Sequence, residues 1–369
     1  MSYAPDSLDL RDNFFNAIMI GIGGAFNPSN TTFMTKPTGA LQYLMSPANR
    51  DLASITLQTL AGGKRQARVA RIPRGTSGEA ITGVTCDTTT SSGYVEQVVD
   101  VNQDPCFISW NVTIDVLERY CDDLLAFERE GTDENLPLFK AFNQEIMAKM
   151  NGLRLCINER LIAMMLVNAG INVATGVNTP TTVTMLDGTN GAKFELGIQE
   201  FIEDMQVNEI PGTPGVIGSG ILSRFNTSMA LGCCNFSGLD WAAMAASAPW
   251  QYYFDTEVGT ISGDANEFLV LSPGAVQFVY FNRSVIPARQ EGSRHGTTLY
   301  GMLADPFVPG LIYDLSIKQN DCAAGEYDPS WTIAISLRFD LAYIPTDAFS
   351  VDDDLYGWNG IFRYIAAQS

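Results

Sequence analysis

The chain has 369 residues, enough for more than one hydrophobic core. Apolar residues make up 46% and charged residues 17%, a balance that excludes intrinsic disorder. With 41 acidic against 22 basic side chains the formal charge is -19, which repels phosphate backbones and excludes a protein that wraps nucleic acid.

Residues 1 to about 50 hold Gly21, Gly23, Gly24, Pro28, Pro37 and Pro47 and no sustained period, so they read as an extended arm with a short helix near Leu10 to Met19. The first 26 residues lack a basic leader, and their apolar run is short and glycine-broken. Neither export nor membrane insertion is signalled, and the protein is expected to be made and kept in a cytoplasm.

Strand-like alternation follows: QARVARIPRG (66–75), a polar tip CDTTTSSG (86–93), then YVEQVVDVN and CFISWNVTIDVLERY up to Tyr120. The pattern predicts a long two-stranded hairpin. Such a hairpin is marginal alone in water, so another chain is the natural cover for it. Lys64, Arg65, Arg68, Arg71 and Arg74 fall in eleven residues without an acid. They form either a solvated strand face or a positive limb that meets an acidic neighbouring subunit.

From Leu136 to Gly170 nothing stops a helix for about nine turns, roughly 50 Å. Phe139, Phe142, Ile146, Met150, Leu153, Ile157, Leu161 and Met164 keep one apolar stripe, while Lys140, Gln144, Asn151, Arg154 and Asn158 mark a polar face. Pro137 suits the first helical position, Asp133 and Glu134 suit the positive end of the dipole, and Gly170 suits the position past the end. The last turns, LIAMMLV, are apolar all round and are expected to enter a core. Gly152 could permit a bend.

Beyond the helix, TPTTVTML reads as a strand, and residues 195 to 285 alternate helices with short strands such as GVIGSGIL and FLVLSPGAVQFVYFN, a compact α/β lobe. PFVPGLIYDLSIKQNDC and WTIAISLRFDLAYIP then read as an antiparallel pair that covers the helix stripe.

The residues offer no catalytic constellation. His295 is the one histidine, in the loop QEGSRHGTTLY, which leaves no Ser-His-Asp or Cys-His site and no histidine-rich metal site. GIGGAF lacks the third glycine of a dinucleotide loop, GGKRQ lacks a phosphate-loop frame, and IGSGI lacks the flanks of a nucleophile elbow. VDDDLYG (351–357) lacks the ligand spacing of a calcium loop. Cys86, Cys106, Cys121, Cys156, Cys233, Cys234 and Cys322 show no metal or redox spacing and are expected to be free thiols.

The order of arm, hairpin, capped helix ending in LVNAG, α/β lobe and returning strands resembles the major capsid proteins of tailed double-stranded DNA bacteriophages, with their Hong Kong-ninety-seven-type fold. NERLIAMMLVNAGIN, PWQYYFDTEVG, NEFLVLSPGAVQFVYFN, DPFVPGLIYDLSIK and FDLAYIP carry the resemblance, which covers nearly the whole chain. It implies an α+β fold with residues 1–52 as N-terminal arm and 53–120 as the extended E-loop hairpin with flanking strands. Residues 121–194 would be the P domain with its spine helix at 137–169, 195–300 the A domain, and 301–369 the return to the P domain.

The implied role is structural: an icosahedral head shell enclosing phage double-stranded DNA, built from pentameric and hexameric capsomers of this chain, with no enzymatic activity, cofactor, metal or membrane. Lys64, Arg65, Arg68, Arg71 and Arg74 are then candidate subunit-interface residues. Scaffolding, portal and decoration proteins are further candidate partners, and DNA is enclosed without specific binding. Since no long segment precedes the arm, scaffolding is expected to be a separate protein or absent. The implied location is the virion capsid, after synthesis and assembly in the host bacterial cytoplasm. Two alternatives stay open: an encapsulin-like nanocompartment shell, and a cytoplasmic α/β enzyme using the lobe at 195–285.

Overall fold

The structure is a computed structural model that describes residues 37–51, 53–59, 65–71, 95–101, 106–113, 137–169, 179–186, 213–230, 250–282, 294–295, 298–305, 307–320, 330–343 and 360–368. In chain order, helices α1 (Gly39–Met45) and α2 (Pro47–Arg50) lead into strands β1 (Ala53–Thr59), β2 (Arg65–Arg71), β3 (Val95–Asp100) and β4 (Cys106–Thr113). Helix α3 (Pro137–Val167) is followed by β5 (Thr181–Leu186), β6 (Gly215–Gly218), α4 (Gly220–Ala230), β7 (Gln251–Phe254) and α5 (Glu257–Ser262). The remaining strands are β8 (Glu267–Leu271), β9 (Val276–Phe281), β10 (Arg294–His295), β11 (Thr298–Ala304), β12 (Ile312–Asn320), β13 (Ser330–Tyr343) and β14 (Ile361–Gln368).

The chain divides into two compact units. The first takes Gln103–Cys156 and Tyr280–Arg338, and the second takes Pro37–Asn102, Ile157–Val279 and Phe339–Ser369.

In the first unit the strands run in the order β10-β11-β12-β13-β4, antiparallel throughout. Strict alternation in β13 and β4 produces two unlike faces. One buries Trp331, Ile333, Ile335, Leu337, Ile317, Leu315 and Cys106. The other is built of Ser109, Asn111, Thr332, Ala334, Ser316 and Asn320, where Thr332 donates to Asn111 Oδ1 at 2.7 Å and Asn320 Nδ2 donates to Thr332 at 2.8 Å. The expected antiparallel pair of IYDLSIKQN and WTIAISLRF is therefore present as β12 and β13.

Strand β4, however, is not part of the hairpin that the sequence suggests. Alternation alone fixes a strand's two faces and leaves its partner open, and β4 pairs with β13, Ser330 opposite Thr113. Its inner residues run along α3. Ile108 lies against Gly152, where an added Cβ would stand 3.2 Å from Ile108 Cδ1, and Lys149 Nζ lies 5.9 Å from the centre of the Trp110 ring. Two strand residues rise about 6.8 Å, close to one helical turn, so successive inward side chains meet successive turns. Gly152 serves this close approach, and the helix runs through it without a break.

At one end of that contact Cys106 and Cys156 are joined by a disulfide with Cα atoms 6.1 Å apart. The expectation of free thiols is thus corrected for this pair; a sequence separation of 50 residues carries no signal of the pairing. The other five cysteines lie outside the described residues.

The second unit holds two sheets. One is three-stranded, β1-β2-β3, antiparallel. The β2–β3 hairpin matches expectation, but β1 adds a third strand that the sequence pattern does not single out, with Thr56 opposite Arg68 and Ile55 opposite Val69. The other sheet has five strands in the order β5-β14-β8-β6-β7. Within it β14 runs parallel to β5 and antiparallel to β8. Residues 361–368 therefore belong to the sheet of the α/β lobe, not to the β12–β13 pair with which chain order groups them.

GVIG forms the fully buried β6, and Gly220 at φ 63° turns the chain into α4. An added Cβ there would stand 2.5 Å from Ala265 O, so the IGSGI motif is a strand-to-helix corner.

Helix α3 has 31 residues, roughly 46 Å. Ile146, Met150, Leu153, Ile157 and Leu161 are buried as the stripe requires, while Phe139 and Phe142 have no described side-chain environment. The last turns enter a core as expected, with Leu161, Ile162, Met165 and Leu166 buried and only the final Val167, 78% exposed, left out. One expectation fails on this helix: Arg154 and Asn158, assigned to the polar outer face, are 2% and 0% exposed. A helix packed on more than one side has no free face to spare, so its polar residues need partners in the interior.

Candidate functional site

The sequence nominates the basic limb. Lys64 and Arg74 lie outside the described residues, and β2 starts at Arg65 and ends at Arg71. Along β2, Ala67 and Val69 are fully buried while Arg68 is exposed. Arg68 stands between Thr56 of β1 and Val98 of β3, and Val98 is 52% exposed. On the same face Gln66 Nε2 donates to Asp100 Oδ1 at 2.6 Å across the β2–β3 pair. Strand alternation gives Arg65, which is half-buried, the face of Ala67 and Val69. The described arginines are thus not gathered on one side: the limb has an apolar face (Ile55, Leu57, Ala67, Val69, Val99) and a mixed polar face (Thr56, Gln66, Arg68, Val98, Asp100).

Two buried polar clusters have no counterpart in the sequence reading. In the first unit Arg154 of α3 reaches Asp305, with Nη1 3.7 Å from Oδ1. Its guanidinium carbon lies 4.8 Å from the centre of the Phe307 ring, and Nη2 donates to Asn151 Oδ1 at 2.5 Å. Asp305 is 6% exposed and organises its own loop, since Oδ1 accepts the backbone N–H groups of Phe307 (2.8 Å) and Val308 (2.9 Å), and Oδ2 accepts the Tyr313 hydroxyl (2.5 Å). Burial, then the Asp305 charge, push the Tyr313 phenol far above its ordinary range. Phe307 covers the buried cation while staying 45% exposed itself.

In the second unit Asn158 of α3 uses both ends of its amide: Oδ1 accepts Leu41 N–H at 3.1 Å, and Nδ2 donates to Asp255 Oδ2 at 2.9 Å. Asp255 Oδ2 also accepts Ala40 N–H at 3.1 Å, and Oδ1 accepts Glu257 N–H at 2.9 Å. Thr38 makes no side-chain cap for α1, so a carboxylate and an amide more than a hundred residues away satisfy the first N–H groups of that helix. Desolvation raises the Asp255 carboxyl above its ordinary value; the hydrogen bonds from Asn158, Glu257 and Ala40 oppose this, and the Glu257 charge adds to it.

Both clusters are structural tethers whose polar atoms, Arg154 Nε apart, are occupied by neighbours. Among the described residues no group of three or more histidine, cysteine, aspartate or glutamate side chains could hold a metal ion, and no helix is long and apolar enough to cross a membrane. The backbone of Arg294 and His295 forms a two-residue strand against Thr298 and Leu299, in place of the expected loop.

No protein-family model and no curated protein matches the chain. Among solved structures it is similar to one described as the cyanophage A-1(L) capsid asymmetric unit, at 11% identity over 91% of this chain and 94% of that chain, TM-score 0.41. It is similar also to the capsid structure of the cyanophage P-SCSP1u (13% identity, 85% and 86% covered, TM-score 0.39) and to a structure from Gordonia phage Cozz (12%, 94% and 95%, TM-score 0.36). The neighbours are phage capsid structures.

Proposed function

We propose that the chain is a major capsid protein, a structural subunit that self-assembles into the icosahedral shell of a phage head and encloses double-stranded DNA without binding it specifically. The observation that carries this reading is the β1–β3 limb. It is a thin three-stranded sheet with an exposed face, and Val98 stands more than half exposed beside Arg68 in the middle of that face. The apolar face of this sheet is already covered within the chain, where Ala67 and Val69 are fully buried, so the mixed face with Arg68 and Val98 is the one left for the copy next door in a shell. The net charge of -19 suits a wall that confines a polyanion instead of adhering to it.

The test is deletion of residues 64–93 within the full chain, followed by negative-stain microscopy and light scattering. The wild type is expected to form closed shells and the deleted chain, which loses β2 from the middle of its sheet, is expected to close none; Val98→Asp, which alters only the exposed face, is expected to stay folded and to assemble poorly, and normal-sized shells from both altered chains would overturn the reading. DNA content of native particles separates a phage head from a nanocompartment. Reversal of Arg68 and Arg71 to glutamate is expected to weaken assembly, more so at low salt, as light scattering against ionic strength would show.

A further inference from the structure

We propose that Cys106 and Cys156 form a redox-set staple, a dithiol during synthesis and a disulfide once the protein leaves a reducing compartment. This rests on the reading of the chain as a shell protein made in a cytoplasm and later released from it.

Three observations support it. Cys106 begins β4, which among the described residues is the edge strand of its sheet and is hydrogen-bonded to a single neighbour, β13. An edge strand is the part of a sheet with least to hold it, and here the disulfide ties its first residue to the middle of α3. Secondly, Ile108 against Gly152 and Trp110 against Lys149 hold β4 along the helix independently of the sulfurs, so the dithiol form keeps the two thiols aligned. Thirdly, the two cysteines differ in exposure: Cys106 is 1% exposed, whereas Cys156 is only half-buried.

That asymmetry sets the order of the chemistry. The Cys156 thiol loses its proton, and the thiolate attacks one sulfur of a low-molecular-weight disulfide such as oxidised glutathione. A mixed disulfide forms and one glutathione thiolate leaves. The Cys106 thiol then loses its proton to solvent, attacks the Cys156 sulfur and expels the second glutathione thiolate. The protein pair is oxidised by two electrons, the glutathione disulfide is reduced to two thiols, and the released protons go to those thiols. Thiolates do the attacking, so the more solvated cysteine reacts first.

The experiment traps thiols by acid quench and alkylation in cells making the full-length protein, then in purified protein exposed to oxidised glutathione, with peptide-resolved mass spectrometry. Free Cys106 and Cys156 are expected in the cell sample and a 106–156 crosslink after exposure. Cys106→Ala is expected to retain glutathione on Cys156, while in Cys156→Ala the buried Cys106 stays unmodified. The oxidised wild type is expected to melt roughly 5–10 °C above its reduced form, a shift absent from both variants.

A crosslink already complete in the quenched cells, or two free thiols after oxidation, would overturn the proposal, as would equal glutathione uptake at both positions. The cell and oxidation measurements use wild-type protein, so they decide the matter even where a variant fails to fold. Particle formation is followed in parallel by light scattering. Chains that crosslink as described yet never assemble would sink the shell reading and leave the staple standing, and chains that assemble with free thiols would do the reverse.

Discussion

Arg154 and Asn158 lie one turn apart on α3, both withdrawn from solvent, and their surroundings answer them in different ways. Arg154 is a cation held against the Asp305 carboxylate and the Phe307 ring, and its Nε has no hydrogen-bond partner among the described residues. Asn158 is neutral and spends one end of its amide on Leu41 and the other on Asp255. The arginine depends on a charge; the asparagine depends on geometry. A buried ion pair is costly to break because the remaining charge is stranded, whereas a lost amide strands only a donor and an acceptor.

The largest effect is therefore expected from Arg154→Met, which keeps much of the volume and leaves Asp305 buried without its counter-charge. A loss of about 3–5 kcal/mol is expected in urea unfolding, with near-equality to wild type as the result that breaks the contrast. Asn158→Ala is expected to cost about 1–3 kcal/mol, since Leu41 N–H loses its acceptor and Asp255 one of its donors.

A third measurement sharpens the comparison through pH. Burial raises the Asp255 carboxyl above 3.8, so its folded pKa exceeds its unfolded pKa. The corresponding stability is fully present below the unfolded value and is lost as pH rises through the folded one. The wild type should accordingly lose stability relative to Asp255→Asn as pH is raised from the ordinary carboxylate range. A difference that instead grows in favour of wild type would show that the three donors outweigh burial. The smallest effect is expected from Gly152→Ala: better helix propensity, about 1 kcal/mol, is opposed by the 3.2 Å approach to Ile108, so thermal unfolding should move little.

The helix itself is legible because Pro137 and the stripe from Ile146 to Leu161 are local signals, and so is β13, whose alternation persists from Ser330 to Leu341. The roles of Arg154 and Asn158 are not. A helical wheel assigns polar residues to solvent, and their partners lie about 100 to 150 residues away in loops that have no period. Strand β1 does carry a signal, since Ile55 and Leu57 alternate with Ser54, Thr56 and Gln58, but seven residues are short beside the longer runs around them. The basic limb shows the converse limit. Spacing in sequence groups Arg65 with Arg68, and a period of two sends them to opposite faces.

Strand β14 has a practical consequence for anyone altering this protein. Residues 361–368 lie between β5 and β8, and Arg363 Nε donates to the buried Glu267 at 2.6 Å. Cutting them away would not shorten a tail; it would saw the five-stranded sheet in two, stranding β5 and opening a raw edge on β8. Truncations that reach into residues 361–368 therefore act on the keystone of the lobe.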